Sequence, residues 1–347
     1  MKTRIQKFAQ SAIAGLSGVL VCLLGIVGIA NLAGLEPGWV GHLGHFPIHC
    51  GLGGLLLALG ARKVTPKFAA ISLVLGTAFL IQPASLWLSP SLSKTGSEIA
   101  QPVRLLSFNV LRTNRQHALV LRALQDADAD ILYLTELNPI WREALRPLFD
   151  SYPHQIGKGP NLLLSRFPLE QARAVEVTFE VAKAANETIG HSALPISETL
   201  RPYWWSHELL MATAVAGDHR LSLVGLHAPT PRSDLSILIQ KATALVIAAN
   251  LPPASNRDGS VVLGDLNTSN FSPTFRFFVK HTDLLDSTQG FGHSPSWGPL
   301  IFKKSRLPWL GTAIDHILVS KNISVSERET GPDLGSDHRW VMARISW

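Results

Sequence analysis

Six short blocks of this chain set an acid, an amide or an imidazole at the end of an apolar run: Ser107-Phe108-Asn109-Val110, Leu134-Thr135-Glu136-Leu137, Leu226-His227-Ala228, Gly264-Asp265-Leu266-Asn267, Ile314-Asp315-His316 and Ser336-Asp337-His338. A hard cation such as Mg²⁺ takes carboxylate and amide oxygens and completes its shell with water, so Asn109 and Glu136 are candidate ligands. Asp265 and Asn267, two residues apart, put a carboxylate and an amide on one face of a turn. Asp315 stands at the mouth of a strand, and Asp337 sits beside His338 just before the last strand. Taken singly these are weak signals, since a lone strand-end His or Glu is more often structural.

The surrounding pattern shows what must position them. Residues 103–110 alternate as a strand, 117–124 have helical spacing, and 129–134 form a second apolar run with β-branched and aromatic members. Residues 221–226 form a strand delivering His227, residues 261–263 lead into the Gly264 turn, and 340–345 close the domain. Alternating strands and helices imply a layered α/β domain.

The conjunction and order of the six blocks resemble the endonuclease/exonuclease/phosphatase superfamily, which includes nucleases, sphingomyelinases and inositol-polyphosphate phosphatases. Leu164-Ser165-Arg166 and Ser296-Trp297 look like lesser family segments, and the resemblance covers nearly all of residues 104–347. It implies a four-layer α/β sandwich of two mainly antiparallel sheets flanked by helices. It further implies that Asn109, Glu136 and Asp337 bind Mg²⁺ or Mn²⁺. Asp265 would orient or deprotonate the attacking water, with Asn267 fixing it and the phosphate. Asp315 would accept a hydrogen bond from His338 and favour its imidazolium, and His227 would add a phosphate contact or a leaving-group proton. Thr135 departs from the Gln of many members, and 182–207, with Tyr203-Trp204-Trp205, aligns with no subfamily. The trio is expected to be core or strand packing. A catalytically dead binding module is the rival from another class, and the intact set of blocks argues against it.

Composition divides the chain near residue 100. Among 347 residues 46% are hydrophobic and only 16% charged, and residues 1–100 hold no Asp and two Glu, Glu36 and Glu98. Seven of the 31 basic residues and two of the 25 acidic ones fall there, so the remaining domain nets only +1. The basic surplus therefore belongs to the apolar segment, which weighs against a duplex-tracking nuclease and leaves nucleic acid as the runner-up substrate. Arg112, Arg115, Arg166 and Arg232 flank motif strands as a possible basic rim. Both cysteines, Cys22 and Cys50, precede residue 100, which excludes thiol chemistry from the later domain.

Residues 8–35 and 68–88 are uncharged and long enough to span a bilayer, and 46–61 is a shorter, Gly-rich span. Lys2, Arg4 and Lys7 precede the first, Arg62, Lys63 and Lys67 follow the short one, and 34–45 has no Lys or Arg. The positive-inside rule then puts both basic clusters in the cytoplasm. Residues 1–88 are thus expected to be a multi-pass anchor in the inner membrane, 89–103 a linker, and 104–347 an extracytoplasmic catalytic domain. The expected function is a membrane-anchored, metal-dependent phosphoester hydrolase, with lipid head groups as a candidate substrate and no protein partner.

Overall fold

Apolar strand runs such as 131–135, 162–165 and 260–263 must be covered on both faces. In the computed structural model, which describes residues 2–36, 38–90, 92, 102–252, 258–298 and 310–346, they belong to two six-stranded mixed sheets. In chain order the catalytic region runs β1 (Val103–Asn109), α5 (His117–Ala127), β2 (Ile131–Thr135), α6 (Pro139–Ala144), β3 (His154–Ile156), β4 (Leu162–Ser165) and β5 (Leu169–Glu176). It continues with α7 (Phe179–Thr188), β6 (Glu208–Ala216), β7 (His219–His227), α8 (Asp234–Asn250), β8 (Gly259–Asp265), α9 (Pro273–Thr282), β9 (Leu284–Asp286), β10 (Asp315–Ser320), β11 (Ser324–Thr330) and β12 (Val341–Ser346).

One sheet has the order β11-β12-β1-β2-β4-β3 and the other β5-β6-β7-β8-β10-β9. Each is built on a single parallel pair, β1 with β2 and β7 with β8, and every other pairing is antiparallel. β2 and β8 are buried at every residue and lie inside the sheets, whereas β5, with Glu170, Arg173 and Glu176 exposed, is an edge.

Three apolar layers hold this sandwich. Leu105, Tyr133, Leu163, Leu223, Leu263, Ile317 and Ala343 interdigitate between the sheets. Phe108, Leu124, Trp141 and Leu145 join α5 and α6 to the first sheet, and Val224, Leu245, Ile247, Phe275 and Phe278 join α8 and α9 to the second. Trp141 is wholly buried, so truncating it to Ala would cost about 3–5 kcal/mol. The four-layer sandwich expected from the family resemblance is therefore what the chain forms.

The N-terminal region is helical: α1 (Lys2–Leu32), α2 (Gly38–Gly44), α3 (Pro47–Ala61) and α4 (Pro66–Leu88). α1 from Gln10 and all of α4 are long and apolar enough to cross a membrane; α3, with 15 residues, is shorter. The uncharged stretch runs on to Leu35, yet α1 stops at Leu32. Gly34 takes φ +75, its N–H bonds Asn31 O and that of Leu35 bonds Ala30 O, a Schellman stop that frees the chain to turn back. α3 and α4 pack with their backbones touching: a Cβ on Gly54 would stand 2.7 Å from Gly76 Cα. Such small-residue contacts drive association where lipid removes the hydrophobic incentive. Of the expected linker, 91 and 93–101 lie outside the described residues.

Candidate active site

Parallel strands need a crossover, and the two crossovers here, through α5 and through α8, bring four strand ends to one rim of the sandwich. Register does the rest. Asn109 pairs alongside Thr135, with Glu136 next in line, and His227 pairs alongside Asp265. Antiparallel β10 then sets Asp315 against Asp265. Gly264, at φ +149, makes this crossing possible, because a Cβ there would lie 1.8 Å from Leu226 O. Glu136 itself takes φ +63 and Asn267 φ +50. An Asn tolerates the left-handed region, but for Glu136 it is strain of roughly 1 kcal/mol or more, held by its hydrogen bonds.

Those bonds tie the two sheets together. The Asn109 amide donates to Glu136 Oε1 at 2.9 Å and to Asp265 Oδ2 at 3.0 Å, and its own oxygen accepts from the Leu111 N–H. Glu136 Oε2 accepts from the Arg112 N–H at 3.1 Å. Asp265 Oδ1 accepts from the Asn267 N–H, and its Oδ2 lies 3.6 Å from His227 Nε2 and 3.7 Å from His338 Nε2. His338 Nδ1 meets Asp315 Oδ2 at 2.8 Å. Thr135 donates its only hydroxyl proton to Asn161 Oδ1, so His227 Nδ1, 3.0 Å away, must donate to Thr135 Oγ1. That leaves His227 Nε2 toward the cleft.

Charge follows from this geometry. Burial works against an imidazolium at His338, but Asp315 and Asp265 outweigh it and push the pKa up to about 10. Burial raises Asp265, against the opposing pull of His338 and His227. Glu136 would also be raised by burial, yet hydrogen bonds from Asn109 and the Arg112 N–H, helped by the two imidazoles, hold it below its ordinary value. Among these three groups His338 is held as a cation, Glu136 is held as a carboxylate and Asp265 gains basicity.

Glu136, Asp265, Asn267 and Asp337 line a cleft of about 430 Å³, together with His227, His338, Arg232, Trp297 and, from the N-terminal region, His42, His45 and Phe46. The donors fit a hard divalent cation. Glu136 is ionised at the cleft wall, and Asp337, whose Oδ2 accepts from Trp297 Nε1 at 3.3 Å, keeps Oδ1 buried without a hydrogen-bond partner among the described residues. Asp265, Asp315 and His338 also bring ligand atoms within 4.8 Å of one another. There the imidazolium already supplies the positive charge, so oxygen donors at Glu136 and Asp337 are the better match.

All eight residues singled out in the sequence thus converge on this rim, either lining the cleft or bonded to residues that line it. Other expectations fail for topological reasons. β4 is antiparallel to β2, so Arg166 emerges at the opposite end and pairs with Asp128 and with Asp130. Of the four arginines only Arg232 lines the cleft, while Arg112 contributes its backbone. Of the aromatic trio, Trp204 packs on Phe179 and donates to Val177 O as expected, but Tyr203 and Trp205 are exposed and away from the cleft.

Two serines inside the recognised blocks support the site, although nothing local names their partners. Ser336 Oγ donates to Asn109 O and accepts from the His338 N–H, tying the last block to the first. Ser296 Oγ accepts the Ile314 and Asp315 N–H groups. Asn161 and the wall residues His42, His45 and Phe46 were not foreseen, since contacts across such separations leave no local pattern.

A family model described as "Endonuclease/Exonuclease/phosphatase family" matches residues 106–338. Among solved structures, an endonuclease/exonuclease/phosphatase from Beutenbergia cavernae is 17% identical with a TM-score of 0.53, covering 71% of this chain and 72% of that one. A second, from Bacteroides vulgatus, is 16% identical with a TM-score of 0.53, covering 71% of this chain and 99% of its own. At these identities the likeness is one of fold. The curated proteins give no match.

Proposed function

Because the chain belongs to the endonuclease/exonuclease/phosphatase family, we propose that it hydrolyses phosphoester bonds with Mg²⁺ or Mn²⁺ while anchored in a membrane. The observation that carries this reading is the Asp265 carboxylate set between two imidazoles, at 3.6 and 3.7 Å, in the cleft that also holds Glu136 and Asp337.

Glu136, Asn109 and Asp337 would hold the ion, which when bound neutralises charge on the phosphoryl oxygens. Asp265, its basicity raised by burial, takes a proton from the attacking water as the water oxygen bonds to phosphorus. Asn267 has one amide hydrogen engaged by Ala228 O at 2.8 Å, which fixes its carbonyl oxygen to orient that water. The His338 imidazolium, locked by Asp315, faces the charge that builds on the phosphoryl group. As the bond from phosphorus to the leaving oxygen breaks, a protonated His227 delivers the Nε2 proton to that oxygen.

The anchor reading rests on three helices. The C-terminal end of α1, the turn leading into α3 and the C-terminal end of α4 all bond to the catalytic region, through Asn31, His45 and Leu86 respectively. Helices with these ends on one side run alternately, which supports three spans with the N-terminus opposite the catalytic domain. With Lys2, Arg4, Lys7, Arg62, Lys63 and Lys67 inside, that domain is extracytoplasmic in an inner membrane.

The test is hydrolysis of bis(p-nitrophenyl) phosphate by the purified full chain with Mg²⁺. Release of p-nitrophenol that depends on metal and on Asp265 is expected. No turnover under any divalent ion, with phosphate esters still bound, would favour a binding module instead.

A further inference from the structure

The segment joining α1 to α3 is far in sequence from every motif, yet it is bolted to the catalytic domain by buried polar contacts. Asn31 Nδ2 donates to Phe271 O at 3.1 Å, and Arg276 returns a bond to Asn31 Oδ1 at 3.0 Å. Glu36, 9% exposed, accepts from Thr274 Oγ1 and pairs with Lys241 at 3.5 Å. His45 Nδ1 accepts from the Ser269 N–H at 3.1 Å, two residues beyond Asn267, and His45 O accepts from Thr312 Oγ1 at 3.0 Å. Burial pushes the His45 pKa down to about 4, with His42 adding to it, so His45 is a neutral structural tie.

The consequence is a composite cleft. Its carboxylates and imidazoles come from strand ends, and the facing wall comes from His42, His45 and Phe46, with Phe46 tilted against Trp297 at 6.5 Å between ring centroids. Trp297 in turn holds Asp337. His42 is exposed, and its imidazole ring, which lines the cleft, has no hydrogen bond or ion pair among the described residues. Beside this wall, Leu32, Leu35 and Leu43 are exposed at 84%, 59% and 40%, an apolar rim at the end of a helix long enough to cross a bilayer. On the other flank Trp87 and Leu88 end α4, with Trp87 against Gly292 and exposed at 63%. Trp at the end of an apolar span is a membrane-interface anchor.

We propose that His42, His45 and Phe46 form the specificity wall of the active site, with His42 and Phe46 contacting the substrate, so that the cleft receives a phosphoester carried by a lipid in the same bilayer. A phosphate group attached to acyl chains sits at the depth where such a rim lies, and capture from the plane of the membrane confines the encounter to two dimensions at high effective concentration. Phe46 meets the apolar part of the substrate near the phosphorus, and His42 meets its polar part. This inference rests on the phosphoester-hydrolase reading of the same site.

The experiment uses the full chain in vesicles of phosphatidylethanolamine and phosphatidylglycerol with Mg²⁺. It measures release of phosphorylated or free head group from the vesicle lipid beside hydrolysis of soluble bis(p-nitrophenyl) phosphate. The wild-type chain is expected to turn over vesicle lipid. His42→Ala and Phe46→Leu are expected to lower the ratio of lipid to soluble kcat/KM by about 10-fold or more, within the range that loss of one or two good contacts gives. His42 is exposed, so its substitution leaves folding intact, and the conservative Phe46→Leu keeps an apolar packing group. An unchanged ratio in both variants, or turnover of the soluble diester with vesicle lipid untouched, overturns the specificity wall and leaves the hydrolase reading standing. Absence of turnover of both substrates removes the hydrolase reading and the wall with it.

Discussion

His338 Nδ1 lies 2.8 Å from Asp315 Oδ2, and the pair is buried between the two sheets at the rim where Asp265 also ends. Asp315 leaves β10 toward the site while its neighbour His316 points the other way, its ring tilted against Phe275 of α9 at 4.6 Å between centroids and donating to Thr268 O. Strand alternation thus divides an Asp-His dipeptide into one cleft-side and one core residue.

Asp315→Asn removes the charge that keeps His338 an imidazolium while preserving shape. We expect kcat on a soluble phosphodiester to fall by about 10² with a smaller change in KM, as for other groups that stabilise developing charge. Steady-state kinetics on the purified variant checks this, and a loss below about three-fold would mean that the pair is structural.

Asp265→Asn and His338→Ala should each lower turnover by about 10² or more with secondary structure retained, since both face the reacting group. Full activity in either variant, with a normal circular dichroism spectrum, would sink the assignment of this cleft.

Removing divalent ions with a chelator should abolish turnover, and Mg²⁺ or Mn²⁺ should restore it. Glu136→Gln keeps the hydrogen bond from Asn109 but loses a ligand charge, so its Mg²⁺ activation curve should shift at least 10-fold to higher concentration. An activation curve coincident with wild type would place the ion elsewhere in the cleft.

Acid should destabilise the catalytic domain through His207. Its Nε2 bonds Thr243 Oγ1 and its Nδ1 is buried without a partner among the described residues. Burial first, and His227 second, push its pKa down to about 4. An unfolded chain binds this proton near pH 6.5, so the contribution is intact above that value and is lost as pH falls towards 4, by up to roughly 3 kcal/mol. His207→Gln should flatten the decline in melting temperature between pH 7.5 and pH 5. A pH slope equal to that of wild type would assign the acid sensitivity to other groups.

The proposed topology, three spans with the basic clusters inside, would put the catalytic domain outside the cytoplasm. Added protease should therefore digest it in intact spheroplasts. Protection there would reverse the orientation and indicate that α3 does not cross.

The sequence by itself determined which polar residues end the motif strands and which strands carry them. Each motif is local: an apolar run fixes a strand, and the residue after it, whether Asn109, Glu136, His227 or Asp265, is then fixed at the strand's end. Apolar length and Lys/Arg placement likewise marked the N-terminal helices without any fold. Tertiary structure alone decided the rest, because distances between strand ends depend on sheet order and register. Asn109 bridging Glu136 and Asp265 across the sheets is such a fact, and Arg166 carried to the far end by antiparallel β4 is another. The facing wall is the extreme case. His45 meets Ser269 across 224 residues and Thr312 across 267, and no periodicity records a contact made between one element's surface and another's backbone.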